Sequence, residues 1–294
     1  MGEQRALDIP ARFTEDFVRR GEDEQLAWLA TLPEQGADAM RWWSLTADGT
    51  SWYGFCSVVQ PVLRADGSRA VLKIGWPHPE AEHEALALRM WDGDGAVRLL
   101  AVAGWSLLLE RLDAETDLRS LPLEAALEVV AGLMRRLDRP APAGMRHLRE
   151  VAERWTAELP AENAVLRETG DAVDAELIDR AVAYCRELGP RSGSRLVNED
   201  LHFENVLAGG REPWLVIDPK PLAGDPEFGV IPLLWNRADE GDLSQRVDFI
   251  VEATGMDRAT ARKWTFVRAV ECWLTSDEDD PAGQNAEAII EAMS

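Results

Sequence analysis

The chain is poor in cysteine, histidine and positive charge, and each shortage excludes something. The three cysteines, Cys56, Cys185 and Cys272, are scattered, and none sits in a CxxC pair. An odd, dispersed set argues against a disulfide framework and for a reducing compartment. The four histidines (His78, His83, His147, His202) are equally dispersed, with no second ligand at zinc-site spacing. Lys and Arg total 31 against 53 Asp and Glu, a formal net charge of −22. Such a surface repels nucleic acid and anionic membrane and attracts cations, although plain solubility also explains it. No apolar run approaches a membrane span, and the opening "MGEQRALDIP" has no signal-peptide core. The expectation is a soluble cytoplasmic protein, monomeric or weakly dimeric, without nucleic-acid or membrane partners.

What is present is a core, with 46% hydrophobic residues in a chain of 294. Residues 11–31 carry apolar markers at helical spacing. "RWWSLT", "GFCSVVQPVL" and "RAVLKIGW" read as strands separated by Asp48-Gly49 and Asp66-Gly67, the signature of consecutive antiparallel hairpins. A helix is expected from Pro79 to Asp92, then two short strands about Gly104. After Asp113 the chain turns helical. "LEAALEVVAGLMRRL", "MRHLREVAERWTAEL" and "DAELIDRAVAYCREL" are helices, with "PAENAVLRETGDAV" as a polar break. Helices over 241–254, 258–274 and 283–293 close the chain. The fold expected is α+β in two lobes: 1–112, a small antiparallel sheet with a leading helix, and 113–294, mostly helical. "TSDEDDPAG", including Asp277, Glu278, Asp279 and Asp280, reads as a solvated acidic loop.

Inside the helical half, "LVNEDLHFENVLAGGREPWLVIDPKP" departs from the helical pattern. A loop carries Asp200, a strand follows Asn205, Gly209-Gly210 turns the chain, and a second strand ends on Asp218. An antiparallel hairpin brings the start of one strand opposite the end of the other, so Asn205 meets Asp218. Two carboxylates and an amide oxygen suit Mg²⁺, with Asp200 free to accept a proton. The spacing D-x-x-x-x-N followed by a strand-terminal Asp is the catalytic-loop pattern of kinase-like phosphotransferases. Lys73 ends the strand "AVLK", where kinases place the lysine that pairs with nucleotide phosphates. Glu80, Glu82 and Glu84 are its candidate partners. Glu84 shares a helical face with Leu88 and Trp91, and Glu82 with Leu86 and Met90.

These segments, together with "AVLKIGWPHPEAEHEALAL", "GAVRLL", "LLLERLD" and "REPWLVIDPKPLAGDPEFG", resemble the aminoglycoside phosphotransferases over most of the chain. The closest branch is that of the aminoglycoside or hydroxyurea antibiotic-resistance kinases. The resemblance implies a kinase-like fold with ATP bound between the lobes. It implies Asp200 as catalytic base, Asn205 and Asp218 as magnesium ligands, and a Lys73–Glu84 pair on the phosphates. Leu109 would be the gatekeeper, and the backbones of Glu110 and Leu112 would meet the adenine. The acceptor implied is a hydroxyl of a small, cationic molecule such as streptomycin. Hydroxyurea, a host metabolite, or a binder without turnover are the rival readings.

Two departures stand out. The family usually reads H-G-D where this chain reads Asn198-Glu199-Asp200, and commonly has an Asp where this chain has Gly229. The hypothesis is that the two changes compensate. The phosphate-covering loop, 47–55, lacks GxGxxG. Gly49 and Ser51 would offer backbone N–H groups there. His202 reads as structural, Lys220 as either a phosphate contact or a surface residue, and Asp225 as a helix cap. Trp235 and Asn236 read as core or as acceptor lining.

Overall fold

The computed structural model of the chain describes residues 7–20, 23–170, 172–276 and 280–294, which fall into two units, Met1–Asp113 and Ala114–Ser294. The first unit runs α1 (Ala11–Arg20), α2 (Asp23–Trp42), β1 (Thr46–Ala47), β2 (Trp52–Tyr53), β3 (Ser57–Leu63), β4 (Arg69–Gly75), α3 (Glu84–Trp91), β5 (Leu99–Ala103) and β6 (Ser106–Glu110). Its sheet has the order β1-β3-β4-β6-β5, with β2 also pairing β3, all antiparallel. Gly67 closes the β3–β4 turn at φ +81, a conformation glycine adopts without strain. Strand alternation then sorts β4. Ala70, Leu72 and Ile74 enter a core with Val58, Val62, Phe13, Trp28, Leu32 and Met40, while Lys73 takes the opposite face.

Two expectations fail here. "RWWSLT" is not all strand, because α2 continues to Trp42. Trp28, Leu32, Gly36, Ala39 and Met40 bury at helical spacing, and that burial outweighs the β propensity of the tryptophans. Ser44, at φ +51, breaks the chain direction before β1. The helix expected from Pro79 starts only at Glu84; residues 79–83 form turns.

The second unit holds β7 (Asp113–Asp117), α4 (Leu123–Leu137), α5 (Leu148–Thr169), α6 (Ala175–Leu188), β8 (Arg195–Asn198), β9 (Val206–Ala208), β10 (Trp214–Val216), β11 (Pro221–Gly224), α7 (Pro232–Trp235), α8 (Leu243–Thr254), α9 (Arg258–Thr275), α10 (Pro281–Gln284) and α11 (Ala286–Met293). α5 runs straight through Pro160, where a break was expected. Leu159 beneath it is fully buried, and the Asn163 amide binds both polar groups of the Val173 backbone, at 2.9 and 2.8 Å. β9 pairs β10 and β7, and β8 pairs β11. The second of these ladders is invisible as a pattern because all four residues of β11 are buried and do not alternate. Asp277, Glu278 and Asp279 lie outside the described residues; Asp280 caps α10 by accepting the Ala282 N–H.

Candidate active site

In the first unit, Lys73 and Glu84 form a buried pair. The Lys73 Nζ lies 2.7 Å from both Glu84 carboxylate oxygens, and the two side chains are 8% and 6% exposed. Glu82 faces solvent, so the delayed start of α3 selects Glu84. Leu109 is buried on β6 opposite Val71. The Glu110 N–H donates to the Arg98 carbonyl at 2.9 Å, and its carboxylate accepts the Arg98 N–H. Leu112 follows, half-buried, in the link to β7. One fully buried side chain, Gln60, helps to hold the loop 47–55. The Gln60 amide donates to the Gly49 carbonyl (2.9 Å) and accepts from the Ser51 hydroxyl (2.8 Å). The Ser51 N–H points to the Asp8 carboxylate at 3.5 Å. As placed, Ser51 serves the loop's own scaffold. Gly49, at φ +133, holds a backbone that side chains disfavour.

In the second unit, β8 delivers Asn198 at its end, and the chain turns through Glu199 and Asp200. The Asn198 Oδ1 accepts two N–H groups, those of Asp200 and Lys220, each at 3.1 Å. It thereby ties the loop to the segment after β10. The Asn205 amide nitrogen donates to the Asp200 carbonyl (2.9 Å) and approaches its Oδ2 (3.4 Å). With that nitrogen committed, the amide oxygen is what Asn205 offers a cation. The Ile217 N–H donates to the Asn205 carbonyl, so the hairpin brings Asn205 beside Asp218. Asp218 itself sits at φ +47, in the left-handed region. The Lys220 ammonium lies 3.5 Å from the Asp200 Oδ2. Burial pushes the Asp200 carboxyl above the ordinary carboxylate range. Lys220, His202 and Arg268 draw it down, and Asp218 drives it up. No group of three or more His, Cys, Asp or Glu arranged for a metal occurs among the described residues. An amide oxygen and a carboxylate on adjoining strand ends nonetheless fit Mg²⁺, which completes its shell with phosphate and water.

The family described as aminoglycoside/hydroxyurea antibiotic resistance kinase matches residues 41–279. This chain belongs to that family. A streptomycin 6-kinase of Streptomyces glaucescens is 39% identical over 100% of this chain and 98% of its own. A hydroxyurea phosphotransferase of Kitasatospora aureofaciens is 42% identical over 98% and 86%. A solved spectinomycin phosphotransferase, in complex with ADP and spectinomycin, shares the fold with a TM-score of 0.53. It is 12% identical and covers 88% of this chain and 93% of its own. The chain is thus an α+β, kinase-like phosphotransferase of the antibiotic-resistance kinases.

Within this family member, position 229 is closely packed. A Cβ on Gly229 would stand 2.8 Å from the Asn198 carbonyl oxygen and 3.2 Å from Val197. The two departures from the family pattern touch, but no side chain fits. Glu199 instead pairs with Arg146, both side chains largely buried. Asp225 caps no helix through its side chain. Its carboxylate accepts the Gly193 N–H (2.6 Å) and the Trp264 indole N–H (2.9 Å) and so ties the segment ahead of β8 to α9. Glu204 gathers Arg119, Asn236 (3.3 Å) and His202 (3.6 Å). Sequence reasoning left Lys220 undecided, yet a signal existed: only three of the 31 basic residues are lysine, Lys73, Lys220 and Lys263. Of those three, Lys73 pairs with Glu84 in the first unit and Lys220 stands beside Asp200 in the second. Arg268 was missed altogether, although an arginine inside the apolar run "WTFVRAVECWL" is an uncommon placement that asks for a partner.

Proposed function

We propose that the protein transfers the γ-phosphoryl group of ATP to a hydroxyl of a cationic antibiotic of the streptomycin kind. What supports this most is the arrangement about Asp200: a carboxylate only 14% exposed with Lys220 on one oxygen, the Asn205 amide on the same loop, and Asp218 alongside. Asp200 orients the acceptor hydroxyl and takes its proton as the bond to phosphorus forms. Lys220 screens the negative charge that an incoming phosphate would meet there. Lys73, aimed by Glu84, pairs with nucleotide phosphate oxygens, and the Gly49 loop covers them. Glu110 and Leu112 receive the adenine through their backbones. Asn205 and Asp218 would hold Mg²⁺, which when bound offsets charge on the phosphate oxygens. Positioning and electrostatics dominate, because phosphoryl transfer asks little covalent chemistry of the protein.

The acceptor's charge is inferred from the net charge of −22, from the carboxylates Asp117 and Glu204 near the loop, and from the streptomycin kinase among the relatives. Hydroxyurea is the second reading, favoured by the relative named for it. We place the enzyme in the cytoplasm, where ATP is, as a monomer or weak dimer. No described helix is long and apolar enough to cross a membrane. The test is incubation with ATP, Mg²⁺ and a panel of streptomycin, other aminoglycosides and hydroxyurea, read by mass. ADP release matched by a gain of about 80 Da on streptomycin is expected. The same gain on hydroxyurea alone would reassign the acceptor. A thermal shift without ADP would make the protein a binder.

A further inference from the structure

Each main-chain group of Glu199 and Asp200 has a partner. The Glu199 N–H donates to the Lys220 carbonyl, and the Asp200 N–H donates to the Asn198 side chain. The Asp200 carbonyl accepts from the His202 N–H and the Asn205 amide. The remaining group, the Glu199 carbonyl, accepts from the Nη1 of Arg268 at 2.9 Å, from a residue 69 positions further along the chain. The same nitrogen reaches the Phe228 carbonyl at 3.2 Å. The guanidinium lies 4.7 Å from the centre of the Phe228 ring and 5.4 Å from that of Trp235.

We propose that Arg268 is a positioning residue for phosphoryl transfer: from α9 it holds the Glu199 carbonyl, and with it the peptide that aims the Asp200 carboxylate. Three observations meet here. Arg268 is only 7% exposed, yet no described carboxylate lies within ion-pair distance of it. A buried cation without a carboxylate partner costs stability, so its presence there argues for a task. Position 229, packed against the Asn198 carbonyl, leaves no room for a side chain that could anchor the loop from beneath. The anchor therefore comes from α9, and it is a cation gripping carbonyls rather than a carboxylate gripping N–H groups. One nitrogen reaches both carbonyls, which a lysine ammonium could imitate; what a lysine lacks is the planar guanidinium that faces the Phe228 and Trp235 rings and holds that nitrogen in place. The inference rests on the reading of Asp200 as proton acceptor given above.

The experiment is a double-mutant cycle of Arg268→Lys and Asp200→Asn, with kcat, the KM for ATP and for streptomycin, and the thermal midpoint measured on each protein. Arg268→Lys should lower kcat ~10-fold while both KM values stay within ~2-fold, since a displaced base loses transition-state stabilisation and not ground-state binding. In the Asp200→Asn background the same change should alter kcat by less than ~2-fold, because Arg268 acts only through Asp200. Equal losses in both backgrounds, or an Arg268→Lys enzyme at wild-type kcat, would overturn the proposal. If Arg268→Lys does not fold, Arg268→Gln, which keeps one donor without the charge, enters the same cycle under the same criteria. Asp200→Asn at full rate would instead remove the base assignment, an outcome visible without any Arg268 variant.

Discussion

The Lys73–Glu84 pair and the Asp200 loop both keep a charge where water is scarce, and they do it by opposite means. In the first unit the charge is neutralised at once. An ammonium sits symmetrically on a carboxylate, with strand β4 below one and helix α3 below the other. In the second unit the carboxylate is on a turn. Its nearest cation is at 3.5 Å, and the loop is held by its own backbone and by the Asn198, Asn205 and Arg268 side chains. A saturated pair on regular elements is a stable fixture. A carboxylate with unspent capacity, pushed above its ordinary range, is a reactive group maintained at a cost. Stability and reactivity are thus assigned to different places in one chain.

Breaking each in turn should give effects of opposite kind. Asp200→Asn should lower kcat by ~10³-fold or more, the scale for losing a positioned base. Its stability should hold or rise. The native-state pKa lies above the ordinary 3.8, so ionisation favours the unfolded chain. That cost accrues as pH rises from about 3.8 through the raised value, and Asn removes it. Lys73→Met should instead cost about 3–5 kcal/mol by taking the ammonium away from a buried carboxylate. Lys73→Met with Glu84→Met should recover most of that stability yet still place ATP poorly. Denaturant unfolding alongside steady-state kinetics decides. A destabilised Asp200→Asn or a fully stable Lys73→Met would break the contrast.

The same contrast governed what could be read in advance. The hairpin register linking Asn205 to Asp218 follows from Gly209-Gly210 and two short apolar runs, so local chemistry sufficed. Lys73 and Glu84 were legible as types, but the choice of Glu84 over Glu82 needed the helix to start five residues late. Helix ends carry the weakest local signal. The Asp200 loop was legible in its donors and opaque in its supports. Arg268, Arg146 and Asp225 act over long sequence separations, and no period or turn signal reports a contact of that range. The halted strand "RWWSLT" and the unbroken α5 fail for one reason: burial of Met40 and Leu159 overrides the local propensities of Trp and Pro.

The loop's dependence on close backbone approach gives a second way to sharpen the comparison. Gly229→Ala should destabilise by about 1–3 kcal/mol, because its Cβ meets a carbonyl oxygen and not a yielding side-chain tip. Gly229→Asp should cost more, and pairing it with Asn198→His should not restore turnover. Gly67→Ala in the β3–β4 turn is the control. Nothing stands within 4 Å of its Cβ, so only the strain of φ +81 remains, about 1 kcal/mol. Equal costs at both positions, read from urea midpoints, would show that the loop yields as easily as a surface turn.

The smallest effect concerns thiols, and it follows the same division. Cys185 is 1% exposed, and burial pushes its thiol up to about 12. Cys272 is raised well above its ordinary value by burial and by the neighbouring Glu271. Alkylation requires thiolate, so near pH 8 Cys185 holds fewer than about one reactive form in a thousand, and burial disfavours the Cys272 thiolate in the same direction. Cys56 is half-buried at the entrance to β3, beside the exposed Phe55 of loop 47–55. Iodoacetamide should therefore add once per native chain, at Cys56, and three times after unfolding. If that loop covers nucleotide phosphates, ATP with Mg²⁺ should slow the single reaction ~3-fold or more by restricting local opening. Labelling of Cys272 as fast as Cys56 would mean that α9, the helix carrying Arg268, opens on the timescale of the reaction. The rigid anchor assigned to it would then be lost.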